Sequence, residues 1–245
     1  MRPTINPSCA IVGNGNLARH LAHYFRLAGL DVATWSRQAE RESGLELAEA
    51  IGAAPIVLLL ISDDAIASFA GSRPELDRRI LVHCSGTLTI PPVVGVHPLM
   101  TFGPGLLPLE TYQKVPFVGE TGRRGFRDLF PTLPNPSYAI DAADKARYHA
   151  MVSLAGGLTP LLWERLFVLL AEDLGLPRVV AIPYFDAVAE RCRGPLPFVG
   201  TGPVARGDRE TVALHLAALA ADPLHSAYLA FIRVLRPELL DPNER

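Results

Sequence analysis

The fold of this chain is decided by residues 9–18, CAIVGNGNLA. A short apolar run, typical of a buried strand, ends at Gly13 and is followed by a helical pattern over residues 17–27. In the motif Gly13-x-Gly15-x-x-Ala18 the first glycine makes the tight turn, and the second lets the backbone approach a pyrophosphate. The small Ala18 lets the helix pack on the strand, and the free N–H groups of the first helical turn would face the phosphates. This order of strand, turn and helix predicts a dinucleotide site; a glycine-rich turn without a ligand is the alternative.

The predicted site continues at the end of the second strand, over residues 31–36. An NAD-preferring site usually carries Asp or Glu at this point, where the carboxylate accepts a hydrogen bond from the ribose 2′-OH. Here Ser36 and Arg37 occupy that position, and a hydroxyl beside a guanidinium suits a 2′-phosphate. We therefore predict NADP as the cofactor; a solvated arginine in a polar loop is the alternative. The predicted cofactor-binding residues are Gly13, Asn14, Gly15, Asn16, Leu17, Ser36, Arg37, Ser62 and Asp63.

The composition indicates a globular protein and excludes several classes of partner. Hydrophobic residues make up 49% of the 245 residues and charged ones 20%, which is enough apolar content for one large or two small cores. A net charge of −2, without a basic stripe, argues against a nucleic-acid surface. Even the longest uninterrupted apolar runs, such as residues 56–61, are strand-sized, so no membrane association is expected. The first residues, MRPTINPS, lack the apolar core expected of a signal peptide, and the three cysteines have no spacing typical of metal or disulfide sites, so a cytoplasmic protein without a metal is expected.

Strand and helix patterns divide the chain into two parts. Buried strands are predicted at residues 55–62, 79–84 and 93–97, a further strand at 115–119 is expected to close the sheet, and 138–140 has the pattern of an edge strand. Helices are predicted over residues 142–155, 159–174, 181–191, 209–220 and 225–235. We predict an α/β fold, a doubly wound Rossmann-like parallel sheet followed by an all-α C-terminal domain, with domains at 1–140 and 141–245.

Polar clusters follow three of the predicted strands, at the sheet edge where open parallel sheets bind ligands. Ser62 and Ser85 are expected to line the nicotinamide ribose or the substrate, while Asp63 and Asp64 suit either the site or the start of a helix. His97 precedes a proline, which holds its backbone extended beside a loop able to cover a pocket.

Lys145 and His149 lie one turn apart on the first helix of the C-terminal part. So placed, they could grip or protonate a carbonyl oxygen, although a solvated lysine and an interface histidine are the alternative. The predicted catalytic residues are Lys145, His149, His97 and Ser85. Residues 200–208, GTGPVARGD, are predicted to form a binding loop that carries Arg206.

The segments GNGNLA, WSR, ISDDAI, VHCSGTL, GVHPLMTF, KARYHA and TGPVARGDRETVALHL, in this order, resemble a known family. They are similar to the Rossmann-like proteins with a C-terminal domain of unknown function, which are described as NADP-dependent oxidoreductases. The family is similar in architecture to 6-phosphogluconate dehydrogenase, the β-hydroxyacid dehydrogenases and pyrroline-5-carboxylate reductase.

The resemblance implies a C-terminal domain of the 6-phosphogluconate dehydrogenase type that dimerises, and an active cleft between the domains. By analogy with the β-hydroxyacid dehydrogenases, Lys145 falls near their catalytic lysine and His149 near an asparagine one turn later. The chain departs from the family at Ser153–Gly157, where SLAGG stands in place of an expected asparagine.

We therefore predict a homodimeric reductase that transfers hydride from NADPH to a carbonyl or imine of a small acid. A ketopantoate-like compound is one candidate substrate. Two alternatives stay open: a non-catalytic NADP(H)-binding sensor or assembly protein, and a deazaflavin-linked NADP reductase.

Overall fold

A five-stranded parallel sheet forms the first part of the computed structural model, which describes residues 8–194 and 200–240. The strand order is β2-β1-β3-β4-β5, so the chain reverses its direction of travel between β1 and β3. This reversal is the topological switch point at which doubly wound sheets bind ligands. The elements are β1 (Cys9–Val12), α1 (Asn16–Leu27), β2 (Val32–Trp35), α2 (Arg37–Ser43), α3 (Leu47–Ile51), β3 (Ile56–Leu59), α4 (Asp63–Gly71), β4 (Ile80–His83) and β5 (Val94–Gly95). The predicted sheet is confirmed.

Alternation along the central strands distributes their side chains between two cores. Cys9 and Ile11 of β1 pack in one apolar cluster, whereas Ala10 and Val12 pack in another on the opposite face. Because both faces are covered, β3 is buried throughout its length, and its sequence IVLL is continuously apolar. The switch point is therefore held by a rigid central sheet.

A second, three-stranded sheet follows, and it corrects the prediction that residues 115–119 close the first sheet. Its elements are β6 (His97–Pro98), α5 (Leu109–Tyr112), β7 (Phe117–Glu120), α6 (Phe126–Leu129) and β8 (Ser137–Ile140), with strand order β6-β7-β8. The predicted strand at 93–97 is divided between the two sheets. The Val96 N–H makes a hydrogen bond to the His83 carbonyl at 2.9 Å, and His97 then pairs with Val118 of β7. Pro98 has no N–H to continue a parallel ladder, so the chain leaves the first sheet here.

Helices form most of the remaining part of the chain that the structure describes. They are α7 (Lys145–Ser153), α8 (Thr159–Val168), α9 (Ile182–Arg193), α10 (Pro203–Arg206), α11 (Arg209–Ala218) and α12 (His225–Leu235). A π-helical turn at Leu154–Leu158 links α7 to α8, and a second one, Leu169–Asp173, follows α8. The chain divides into two compact units between residues 164 and 165, within this helical stretch, and the domain boundary at 140 stays a prediction.

The second unit has a small core and a large exposed apolar surface. Val204, Val212, Ile232 and Leu240 form its buried cluster. Large apolar side chains are exposed on it and on the preceding helix, and they include Leu154, Leu161, Leu162, Leu169, Leu174, Val179, Phe185, Leu214 and Val234.

Among the residues that the structure describes, the helical stretch Ala142–Asp173 is long and apolar enough to cross a membrane by length and composition. The mean hydropathy of its most apolar 18-residue window is 1.4, and only 6% of that window is buried. No long uninterrupted apolar run marks this stretch in the sequence, because glycine, serine and charged residues interrupt it. The same composition suits a helix that packs against another apolar surface.

Candidate functional site

The turn between β1 and α1 has the geometry that the glycine motif predicts. Gly13 has φ +134°, and a Cβ added there would collide with the Leu60 carbonyl oxygen, so a side chain is excluded by the protein itself. A Cβ added at Gly15 would meet no atom within 4 Å. The packing of the chain therefore does not explain Gly15, whereas a ligand close to the backbone would. Gly15 also precedes α1 without a side-chain cap, which leaves the helix N-terminus open to an anion.

Beside this turn lies a cavity of about 650 Å³, here called the cofactor cavity. Six of the nine predicted cofactor-binding residues line it: Gly13, Asn14, Gly15, Ser36, Arg37 and Ser62. Leu17 and Asp63 line a neighbouring cavity instead. Asn16 lines neither of these two cavities, and its amide donates a hydrogen bond to the Phe102 carbonyl at 3.3 Å.

Cationic and polar side chains follow β2 at the rim of the cofactor cavity. The Ser36 hydroxyl accepts a hydrogen bond from the Ala39 N–H at 3.1 Å and thereby caps α2, whose first residue is the exposed Arg37. Arg41 and Arg73 also line the cavity, and the sequence analysis missed both. Arg41 lies one helical turn after Arg37, a spacing that was visible in the sequence once α2 is recognised as a helix.

A second cavity, of about 230 Å³, adjoins the first and is here called the histidine cavity. The two cavities share the lining residues Leu60 and Ile61, which follow β3. Asp63, Ser85, His97 and His149 line the histidine cavity together with Leu17 and apolar residues of β3 and α4. Three of the four predicted catalytic residues therefore converge on one space at the carboxyl ends of β3 and β4.

Ser85 and Asp63 form one hydrogen-bonded pair in the histidine cavity. The Ser85 hydroxyl donates to Asp63 Oδ2 at 2.5 Å and accepts from the backbone N–H groups of Thr87 and Leu88. These bonds use both the proton and the lone pairs of the hydroxyl. Ser85 is thus fixed in orientation, and Asp63 Oδ1 is the carboxylate oxygen left for another partner.

His149 packs directly on Gly86, where a Cβ would collide with the imidazole ring. Its Nδ1 lies 3.0 Å from the Thr87 hydroxyl, which can donate a hydrogen bond to it. That contact leaves Nε2 as the ring nitrogen available to a ligand. The ring centroids of His149 and His97 are 5.3 Å apart.

His97 forms a pair with Tyr148, a residue that the sequence analysis quoted within KARYHA but did not select. The Nδ1 of His97 lies 3.0 Å from the Tyr148 hydroxyl. Burial, together with the nearby His149 and Lys145, lowers the pKa of His97 to about 4, and burial raises the pKa of Tyr148. At neutral pH the tyrosine therefore keeps its proton and can donate it to Nδ1, so that the His97 proton resides on Nε2.

Lys145, the fourth predicted catalytic residue, does not line the histidine cavity. It is 4% exposed, and its Nζ donates to Glu120 Oε1 at 2.8 Å and to the Leu88 carbonyl oxygen. Arg123 completes the cluster with a 3.2 Å contact to Glu120 Oε2. Burial works to raise the pKa of Glu120, but the hydrogen bonds and charges of Lys145 and Arg123 outweigh it and lower that pKa below its usual range.

Arg206, from the predicted binding loop, lies in the second unit at the end of α10. Its guanidinium contacts Asp208 Oδ2 at 2.6 Å and the Thr201 carbonyl oxygen at 2.5 Å. The charge of Arg206 is thus paired within its own loop. Over residues 8–194 and 200–240, no cluster of three His, Cys, Asp or Glu residues is arranged to hold a metal ion.

The fold and the glycine turn define the class of protein: a Rossmann-like parallel sheet followed by a helical C-terminal region. Residues 119–233 match the family model described as "Domain of unknown function (DUF2520)". The chain therefore carries a DUF2520 domain, and the predicted family resemblance is confirmed. No curated protein matches the sequence.

Solved structures share the fold over nearly the whole chain. A Bacteroides fragilis protein provisionally named an NADP oxidoreductase is 22% identical, with a TM-score of 0.72 and coverage of 95% of this chain and 98% of its own. Protein TM1727 of Thermotoga maritima is 23% identical, with a TM-score of 0.63 and coverage of 97% and 100%. A reductive aminase from Aspergillus terreus, in complex with NADPH and ethyl levulinate, is 14% identical, with a TM-score of 0.56 and coverage of 98% and 89%. These likenesses establish a fold shared with NADP-dependent oxidoreductases.

Proposed function

We propose that this protein is an NADP(H)-dependent reductase that transfers hydride to a carbonyl or imine carbon of a small acid. The observation that carries the proposal is the histidine cavity, in which Asp63, Ser85, His97 and His149 converge directly beside the cofactor cavity. A volume of about 230 Å³ suits a nicotinamide ring or a small substrate, not a large one.

The cofactor cavity supports NADP(H) over NAD(H). The residues present fit the cofactor, because Gly15 leaves open space beside an uncapped helix N-terminus and Arg37, Arg41 and Arg73 line the same cavity. A 2′-phosphate carries the charge that these guanidinium groups would bind. When bound, the cofactor supplies the hydride.

His149 is the proposed proton donor to the substrate oxygen or nitrogen, and the neutral His97 is proposed to donate a hydrogen bond to the same atom. Each has its Nδ1 engaged, by Tyr148 and Thr87 respectively, so each presents Nε2 to the cavity. The Ser85–Asp63 pair is proposed to orient the substrate through the remaining carboxylate oxygen. Such positioned donors typically contribute 10²–10⁴-fold to the rate.

Lys145 has a different proposed role from the one that the resemblance implies. Its ammonium is buried against Glu120, which supports a function in anchoring the start of α7 rather than in proton transfer. The helix that it anchors carries Tyr148 and His149. Lys145 would then act on the site only through the position of that helix.

We also propose that two copies of the chain associate through the exposed apolar surface of the C-terminal helices. Apolar faces of this extent on a monomer usually cover an interface. Sedimentation should show a dimer that L161E/L169E converts to a monomer, while L27E, an equally exposed apolar position in α1, stays dimeric. A monomeric wild type contradicts this proposal, and recovery of the protein in membranes would assign the surface to lipid.

The second candidate function is a protein that binds NADP(H) without chemistry. The sequestration of Lys145 by Glu120 favours it, since the residue that the resemblance marks as catalytic is not free. The test for both is NADPH oxidation, followed at 340 nm, with a panel of small keto acids, including ketopantoate, and cyclic imines. Substrate-dependent oxidation that is lost in H149N but retained in H225N, a histidine at the start of α12, supports the reductase. NADPH binding without oxidation on any substrate supports the second candidate.

A further inference from the structure

A third cavity, of about 700 Å³, lies in the first unit and is here called the arginine cavity. It is lined by Ile80 and Val94, the first residues of β4 and β5, and so opens at the amino ends of these strands. The cofactor cavity lies at the carboxyl ends of the sheet. Helix α4 separates the two cavities, with Ala67, Ala70 and Gly71 facing one and Ala65, Ser68 and Phe69 facing the other.

The lining of the arginine cavity is strongly cationic. Arg78, Arg79, Arg123 and Arg124 line it, against the single acidic residue Asp77. The whole chain carries a net charge of −2, so this concentration of guanidinium groups is local. An apolar wall formed by Ile90, Pro91, Pro92 and Val93 completes the cavity.

Two of the four arginines are held by the protein itself. Arg79 donates to the carbonyl oxygens of Gly52, Ala54 and Glu75, at 2.6 to 2.9 Å. Arg123 donates to Glu120 and to the carbonyl oxygens of Pro92 and Val93. These hydrogen bonds hold the two side chains in place, so they contribute positive charge to the cavity without being free to bind a ligand.

Arg78 and Arg124 are different, because no partner for either side chain is found among the residues that the structure describes, and both are exposed. Arg78 has φ +64°, and within the same described ranges it is the one residue other than glycine with a positive φ. A long side chain in this conformation is uncommon, and glycine or asparagine would be the ordinary choice. Backbone preference therefore does not explain an arginine at this position, whereas a bound anion would.

We propose that the arginine cavity is a second binding site, for a small organic anion that has a phosphate or carboxylate group and an apolar body. Arg78 and Arg124 would bind the anionic group from two different segments, and the proline-rich wall would contact the apolar part. The site is distinct from the cofactor cavity and does not depend on the proposed reductase activity.

Calorimetric titration of the full chain with phenyl phosphate tests this site, with benzyl alcohol as the neutral probe. Phenyl phosphate should bind saturably and benzyl alcohol should not. The dissociation constant should rise at least about tenfold in R78Q/R124Q, because charge-assisted hydrogen bonds are lost. R127Q/R147Q removes two exposed arginines elsewhere in the first unit and should bind as the wild type does.

Two further variants separate loss of binding from loss of folding and from binding in the cofactor cavity. R78G removes the guanidinium and also the strain of a side chain at positive φ. This variant should therefore remain folded but bind phenyl phosphate more weakly than the wild type does. R37Q changes the cofactor cavity only and should leave the titration unchanged. The proposal is overturned if the wild type shows no saturable binding, if R78Q/R124Q binds normally, or if R37Q alone abolishes binding.

Discussion

At the scale of single residues, the two glycines of the first turn have different reasons to be there. Gly13 is required by its φ of +134° and by the Leu60 carbonyl, whereas Gly15 has open space around it. We expect G13A to lower the free energy of unfolding by about 1–3 kcal/mol or more, since it adds strain and a collision. The free energy of unfolding of G15A should lie within about 0.5 kcal/mol of the wild-type value. Its dissociation constant for NADPH, however, should be at least about tenfold higher. Urea denaturation and calorimetry measure both quantities. Equal losses of stability in the two variants would contradict this division.

Gly86 supports a second residue-scale prediction, because it makes room for His149. In G86A the new methyl group must displace the imidazole, so kcat should fall about 10²-fold or more while the affinity for NADPH is retained. The matched control is G105A, where an added Cβ meets nothing within 4 Å and activity should be unchanged. Normal turnover in G86A would remove His149 from the proposed mechanism.

At the scale of elements, the start of α7 is fixed by the buried Lys145–Glu120 pair. Replacing Lys145 by methionine leaves Glu120 buried with Arg123 alone, and we expect the free energy of unfolding to fall by about 3–5 kcal/mol. K114M, at the exposed second lysine of the chain, should leave stability unchanged. Thermal or urea unfolding measures the difference. Unchanged stability with a 10²–10⁴-fold loss of turnover would instead make Lys145 the proton donor that the resemblance implies.

The elements also show how far the sequence could be interpreted. The apolar run of β3 and the glycine turn predict the parallel sheet. Burial on both faces requires a continuously apolar strand, and the positive φ of the turn requires glycine, so both features can be recognised in the sequence. The division of residues 93–97 between two sheets could not be predicted, since it depends on which strand accepts the pairing of His97. Short α2 was missed because a polar surface helix has no apolar stripe.

The candidate site was also predictable only in part. Strand ends identify Asp63, Ser85 and His97, because topology alone brings the carboxyl ends of parallel strands together. The burial of Lys145 depends on Glu120 from the second sheet, a long-range pairing that leaves no local signal. Tyr148 was selectable only once its partner His97 was known.

At the scale of the whole molecule, two histidines make stability depend on pH. Burial lowers the pKa of both His83 and His97 to about 4. The ring of His83 is fully buried and has no hydrogen-bond partner among the residues that the structure describes. The unfolded chain therefore binds protons first as the pH falls below about 6.5. Above that pH the two histidines do not change the free energy of unfolding. Between about pH 6.5 and pH 4 the free energy of unfolding decreases as the pH falls, by at most about 1.4 kcal/mol per pH unit for each histidine. Urea unfolding between pH 7 and pH 4.5 should show a shallower slope for H83L than for the wild type; identical slopes would contradict the assignment for His83.

The central claim is that the molecule binds NADP(H) at the end of β1 and β2, and a thermal-shift titration with NADPH, NADP⁺, NADH and NAD⁺ tests it most directly. Ligand at a hundred times its dissociation constant stabilises the native state by about 2.7 kcal/mol, which raises Tm by a few degrees for a chain of this size. We predict a clear shift with the two phosphorylated cofactors, a smaller one with NADH and NAD⁺, and loss of this preference in R37Q but not in R127Q. No shift with any of the four would mean that the glycine turn is structural in this chain, and the reductase proposal would fall with it.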